Sequence, residues 1–393
     1  MSILGRLGAM VRATRERRLG SAIASRSRLL QYAIRDPAGS RVELHCPEYV
    51  KPSGEAVEVE IVDRVFKAYR AMVEYRAKID KLYQPSSLWQ QALDTCYRPL
   101  AAGIEECDQN VFHHFLANFG AWRTNLGVEN VALIRENSRS VIRRRWLQHQ
   151  VFLNQVQIWR WYYNDRNPLE LLSYPRHGNQ SGAFVDGVFV GVGSVGVEIH
   201  GELISNLISD IDRPVLADLG AGYGKFDYFC LRDHERFCFI DFDLPETLCL
   251  AAYYMMMTWP DKEALLFGEG DFAPDSHERY DLIFMPSWEI ERLGDATVDV
   301  FLNKNSLGEM TAAAASNYVH HISRSTRFFY HMNHDNYPNV YSGSDRGLLA
   351  HEYPVPADCF RLVHRGVDII HMLHRGGLDF GMDIFCYLYE RKT

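Results

Sequence analysis

The stretch Val215-Leu-Ala-Asp-Leu-Gly-Ala-Gly-Tyr-Gly-Lys-Phe226 restricts what this chain can fold into more than any other. Val215 to Leu219 has the composition of a buried strand, and it breaks at once into a turn carrying Gly220, Gly222 and Gly224. Apolar and aromatic residues then resume at helical spacing, so the segment reads as strand, glycine loop and helix start. A turn that presents backbone N–H groups to a ligand has no room for a Cβ, and a helix N-terminus favours anionic groups. A nucleotide-like ligand fits such a turn. The dinucleotide fingerprint does not, because Lys225 stands where the third glycine is required and Gly224 comes one place early. A second acid is expected after the next strand, about 20 residues on, to accept hydrogen bonds from ribose hydroxyls. The string Phe237-Cys-Phe-Ile-Asp-Phe-Asp-Leu-Pro-Glu246 offers Asp241 and Asp243.

At 393 residues the chain has length for two or three domains and a large core without disulfides. Its formal net charge of −8 argues against a nucleic-acid partner, which normally calls for a basic excess. The eight cysteines include no C-x-x-C pair and several lie in apolar runs, the pattern of buried thiols in a reducing, cytoplasmic setting without disulfides or structural zinc. No run of about 18 apolar residues is present to span a membrane. Residues 1–30 carry seven arginines against the single acid Glu16, with Ile3, Leu4, Leu7, Met10 and Val11 at helical spacing. This arm lacks the apolar core and cleavage site of a secretory signal. It reads either as a solvated, partner-docking arm or as an amphipathic helix in peripheral contact with an anionic membrane.

The sequence divides into a basic arm and loop (1–54), a mainly helical domain (55–174), a connector with a β-hairpin (175–200) and an α/β domain (201–393). The loop holds at most a short strand near Arg41 to Leu44. Apolar positions from Val62 to Leu82 recur at three and four residues, predicting a long helix that stops before Pro85. Ser87-Leu-Trp-Gln90 reads as a capping box opening the next helix, and further helices are expected over 111–119 and 137–163, the last with Arg143-Arg-Arg145. Trp89, Trp122, Trp146, Trp159 and Trp161 are either core or a sugar-stacking surface. Asp186-Gly187 between alternating residues signals a tight hairpin. Strands are expected at 215–219, 236–241, 281–286, 299–303 and 327–332. Two longer stretches, 360–373 and 380–390 around Arg375-Gly-Gly377, form an antiparallel hairpin at one edge. Ala264 to Gly268 reads either as an eighth strand, which would shift Asp271 to the adenine side, or as part of an insertion; it is taken as the insertion, leaving seven strands.

Asp218-x-Gly220-x-Gly222-x-Gly224 followed by Asp243 resembles the first motif and ribose acid of the class I S-adenosyl-L-methionine (SAM) methyltransferases. A narrower set is similar to the sugar O-methyltransferase family. It comprises Asp299-Val-Phe-Leu-Asn303 with Ser306 and Glu309-Met310, Pro286-x-x-Glu289, Phe329-Tyr330, and Gly178-Asn179 with its hairpin, and the chain departs from it at Gln180 and Gly308. The resemblance spans roughly residues 85–393. It implies a seven-stranded, Rossmann-like α/β sheet with its last strand antiparallel, SAM as cofactor, and methyl transfer to a hydroxyl of a glycan, nucleotide sugar or glycosylated natural product. Another SAM acceptor, such as a polyketide or small phenol, and a catalytically silent scaffold are the competing implications. Under this reading Asp218, Gly220, Gly222, Tyr223 and Gly224 hold the amino-acid end of the cofactor and Asp243 and Leu244 its ribose side. Ser287 and Trp288 border adenine, and Asn303 completes the cofactor site.

A sugar hydroxyl is nearly unionised at neutral pH, so the transfer needs a proton acceptor. Glu309 is the first candidate, as the residue opening the helix after the fourth strand; His331, at the end of the fifth, is the second. Asn305, Ser306 and His334 are expected to touch the acceptor, with His334 also the third candidate base. No metal is expected, since Asn303 and Asn305 stand where metal-dependent O-methyltransferases place aspartates and His331-x-x-His334 is too sparse a set of ligands.

Overall fold

The computed structural model of the protein describes residues 42–121, 128, 131, 152–340, 346–368 and 383–392. The basic arm of residues 1–30, the 137–151 part of the expected helix with Arg143 to Arg145, Trp122, Trp146 and the turn at Arg375 to Gly377 lie outside the described residues.

The described residues form two sheets. The smaller is antiparallel, in the order β1 (Val42–His45), β2 (Gly182–Val185), β3 (Val188–Gly191). Asp186 and Gly187 join β2 to β3 with φ of 50° and 86°. Two consecutive left-handed residues make the turn whose twist suits a tight hairpin. The short strand expected near Arg41 to Leu44 forms at Val42–His45 and pairs with this hairpin across a long sequence gap, Val42 opposite Val185.

The larger sheet has eight strands: β4 (Val215–Leu219), β5 (Cys238–Asp243), β6 (Ala264–Leu266), β7 (Leu282–Pro286), β8 (Val298–Lys304), β9 (Thr326–His334), β10 (Phe360–Val367) and β11 (Ile384–Arg391). Their order is β10-β11-β9-β8-β4-β5-β7-β6, and β11 alone runs antiparallel to its neighbours. This is the mixed α/β architecture expected, with one correction. Ala264–Leu266 is not an insertion but an edge strand, parallel to β7 with Ala264 opposite Leu282. Because β6 pairs outside β7, β7 still lies beside β5. The chain leaves β4 toward β5 on one side and returns to β8 on the other, so the order reverses at β4 and a crevice opens at the carboxyl ends there.

The helix Ala56–Arg76 buries Ile61, Val62, Val65, Phe66, Tyr69 and Met72 on one face and packs on the helix Pro245–Thr258. Tyr69 Oη and Arg76 Nη2 both donate to the buried Glu246 carboxylate, at 3.1 and 2.5 Å. The helix was expected to run to Leu82 but ends at Arg76. The Asp80 carboxylate accepts from the Leu82 amide at 2.9 Å and starts a separate 3-10 turn, Lys81–Tyr83, a local competition that favours turns over helix. Ser86 rather than Ser87 caps the next helix, Ser87–Thr95, accepting from the Trp89 amide; with two serines in tandem the spacing alone does not choose between them. Buried side chains of these helices and of the large sheet belong to one continuous hydrophobic cluster, while a second gathers Trp159, Phe152 and Val156 against the small sheet. Trp159 is thus core, whereas Trp161 is exposed. No helix among the described residues is long and apolar enough to cross a membrane.

Candidate functional site

A cavity of about 390 Å³ lies at the carboxyl ends of β4, β5, β7 and β8, within the range of small-molecule sites, about 300–1,000 Å³. The glycine loop forms its floor. One wall is the turn after β8 with the start of the helix Ala312–Ser325; the other is a strap from Lys81 to Trp89 contributed by the helical layer.

The floor needs its glycines. Gly220, Gly222 and Gly224 have φ of 86°, 68° and 85°, and a Cβ on Gly220 would stand 2.6 Å from the Ser306 side chain. Ser306 Oγ donates to the Leu219 carbonyl at 2.5 Å and Asn303 Nδ2 reaches the same oxygen at 2.8 Å, clasping the turn after β8 to the end of β4. Asp243 Oδ1 accepts from the Leu244 amide at 2.6 Å and Oδ2 from the Gly222 amide at 3.3 Å, so the second acid is fixed against the first loop. Asp218 stands opposite Asp241 in the paired strands, and with Asp227 and Asp243 they make a group of four buried carboxyls. Burial raises the pKa of each, and the neighbouring acids push Asp218 and Asp241 further. Such a group favours a positively charged ligand above it, which would relieve the repulsion.

Glu309 lines the cavity and accepts a hydrogen bond from Trp89 Nε1 at 2.8 Å. It does not open a helix as expected. It ends the 3-10 turn Ser306–Glu309, and the following helix begins at Ala312 with Thr311 as its cap. Burial raises its pKa above the ordinary carboxylate value, opposed by the Trp89 hydrogen bond and the charge of His334.

The histidines lie elsewhere than expected. β9 continues to His334, so His331 is mid-strand and fully buried, stacked on Tyr387, its partner in register, with centroids 4.8 Å apart and planes at 11°. Burial pushes its pKa down to about 3, and it does not line the cavity. His334 Nδ1 lies 2.6 Å from Asp383 Oδ2; the ring borders Gly308 behind the cavity wall but does not line it.

Of the other expected contacts, Tyr223, Leu244, Ser287, Asn305 and Ser306 line the cavity with Asp218, Asp243 and the glycines. Trp288 does not. It packs on Tyr75 and Phe267, each centroid 6.1 Å away. Asn303 is also absent from the lining, because its amide is consumed by Leu219, Leu307 and Asn333. Gly178-Asn179 serves as a clasp remote from the cavity, with Asn179 Nδ2 donating to the Glu48 carbonyl at 2.8 Å. Sequence reasoning missed the strap, Lys304, Lys225 and Tyr318. Lys304 stands in the polar cluster after the fourth strand, so a signal for it existed; the strap left none, since its place depends on tertiary packing.

No family model matches the chain, and no curated protein matches it. Solved structures do. Mitomycin 7-O-methyltransferase matches at 10% identity and a TM-score of 0.32, over 51% of this chain and 55% of that one. The 1,6-didemethyltoxoflavin-N1-methyltransferase of Burkholderia thailandensis matches at 17% identity and 0.33, over 50% and 80%. Magnesium protoporphyrin IX methyltransferase of Synechocystis PCC 6803 matches at 12% identity and 0.32, over 51% and 81%. At these values the likeness concerns the fold alone, and the chain spans little more than half the length of the mitomycin enzyme.

Proposed function

We propose that this protein is a SAM-dependent O-methyltransferase acting on a sugar hydroxyl. The observation that carries the reading is Asp243, anchored by the Gly222 and Leu244 amides beside a left-handed glycine loop and above buried acids. Asp218 and the loop suit the amino-acid end of SAM, Asp243 the ribose diol, and Ser287 the adenine side. Bound SAM supplies an electrophilic methyl group on a sulfonium, whose charge suits the acid group beneath. The chain's own part is alignment and proton removal. The cavity walls orient the acceptor oxygen, which contributes much of the acceleration of an in-line displacement. Glu309, with its pKa raised and its carboxylate aimed by Trp89, takes the hydroxyl proton. Trp89 and Tyr83 in the strap give the acceptor an aromatic wall of the kind sugars stack on. The sugar assignment rests on this wall together with the motifs after β8.

Calorimetry with SAM, S-adenosylhomocysteine (SAH) and NAD tests the cofactor, with binding of the first two and none of NAD expected. Asp243→Ala loses one or two charge-assisted hydrogen bonds of about 1.5–3 kcal/mol each and should weaken SAM at least about tenfold. Unchanged affinity sinks the ribose assignment. Labelled SAM with a panel of glycosides, nucleotide sugars and phenols tests the acceptor, and turnover of phenols alone rules out a sugar.

A further inference from the structure

Three lysines line the cavity: Lys81 from the strap, Lys225 from the glycine loop and Lys304 from the end of β8. The fold employs Lys225, whose ammonium donates to the Val192 carbonyl at 2.6 Å and lies over the Tyr174 and Tyr223 rings. Lys81 and Lys304 differ. Neither makes a side-chain hydrogen bond or ion pair with any described residue. Lys304 is half-buried and Lys81 exposed. None of the acids of the lining hydrogen-bonds to Lys304: Glu309 is held by Trp89, Asp243 by two backbone amides, and Asp218 lies buried among the acids at the end of β4. Asp227 feels its charge from behind the glycine loop but does not line the cavity. Asn305, next in sequence, has a left-handed φ of 70° and a buried Oδ1 with no hydrogen-bond partner among the described residues, an acceptor that suits a hydroxyl of the ligand rather than its anion. Left-handed backbone at a non-glycine residue collects at ligand sites.

The placement of these groups names a ligand. Lys304 ends β8 and Asn305 precedes the turn that ends at Glu309, and Lys81 begins the strap that delivers Trp89 to Glu309. The two lysines therefore line the same cavity as the base, one on each wall. SAM carries a net positive charge, so loading it leaves these cations more in need of an anion.

We propose that Lys81 and Lys304 form an anion subsite, with Asn305 Oδ1 accepting from a ligand hydroxyl beside it, and that the acceptor is a sugar bearing a phosphate or carboxylate group. This rests on the cofactor reading above. The other possible source of an anion is the carboxylate of the cofactor itself, which would make Lys304 a cofactor residue.

The test uses the full chain saturated with SAH, so that the cofactor carboxylate is already in place, titrated by calorimetry with pyrophosphate, glucuronate and glucose. Both anions should bind, more weakly as salt rises, and glucose at least about tenfold more weakly than glucuronate. Lys304→Met and Lys81→Met should each lower anion affinity about tenfold with SAH affinity unchanged within about twofold, and Lys304→Arg should keep most of it. Failure of the SAH-loaded wild type to bind either anion overturns the proposal, as does glucose binding as tightly as glucuronate or anion binding unchanged in both methionine variants. Loss of SAH affinity in Lys304→Met overturns it in favour of the cofactor carboxylate. If the wild type does not bind SAH at all, the cofactor reading falls and takes the anion subsite with it.

Discussion

Replacing Trp89 by Phe removes one N–H from the cavity while keeping an aromatic wall, and it should change the acidity of a residue 220 positions away in sequence. Three influences act on Glu309: burial, which raises its pKa, and the Trp89 hydrogen bond and His334 charge, which lower it. A hydrogen bond to a charged group is worth about 1.5–3 kcal/mol and each pH unit of acidity about 1.4 kcal/mol, so its loss should raise the Glu309 pKa by about 1 to 2 pH units. Carbon-13 NMR of protein labelled at the glutamate carboxyls and loaded with SAH reads this directly, with Glu309→Gln identifying the resonance. Where turnover is measurable, the acidic limb of kcat/KM should move up by the same amount. Stability follows the same sign. With the folded pKa above the unfolded one, the contribution of Glu309 is fully present below the ordinary carboxylate value and is lost as pH rises through the folded pKa, and the variant extends that loss upward. A pKa in Trp89→Phe equal to or below that of the wild type would refute the reasoning.

Glu309→Gln should hold SAM affinity within about twofold while turnover falls by about 10²-fold or more, whereas His331→Phe should keep turnover because the ring only fills a stack. The reverse pattern would return the base to His331. Gly220→Ala forces a left-handed φ of 86° on alanine and drives its Cβ into Ser306, so denaturant melts should show a loss of at least about 1–2 kcal/mol, with SAM binding lost as well. Asp243 is pushed up to about 7 by burial, so SAM should bind more tightly as pH rises through that region and the acids ionise. SAH, which lacks the sulfonium, should respond less, and equal pH dependence of the two would discount the acid group.

The parts of the site that could be read from the sequence are those made by neighbours in the chain. Strand β4, the glycine loop and Asp243 announce themselves through a run of apolar residues, glycine spacing and one acid at a set distance. β6 was legible only as an alternative to an insertion, because three buried residues at a sheet edge carry no alternation to decide between them. His331 was misplaced because its surroundings are set by register, Tyr387 standing opposite it on a strand that follows far later. Asn303 and Asn305 are two residues apart and equally polar, yet one is spent on clasping backbone and the other reaches the cavity. The length of β8 and the turn after it decide that difference. The strap was invisible for the same reason as the Trp89 to Glu309 bond: nothing local to either residue refers to the other.

The salt bridge and hydrogen bond that Arg76 and Tyr69 make to Glu246 have a practical corollary. Glu246 stands three residues beyond the acid assigned to ribose, at the head of the helix that the long N-terminal helix covers. Chimaeras that graft another protein's helical layer onto this sheet, in the hope of changing the acceptor while sparing the cofactor, would cut through that joint and expose a buried carboxylate. Substitutions far from the cavity, along the inner face of residues 56–76, should register as altered cofactor affinity, so acceptor range in this protein is better changed by single residues of the strap than by exchange of modules.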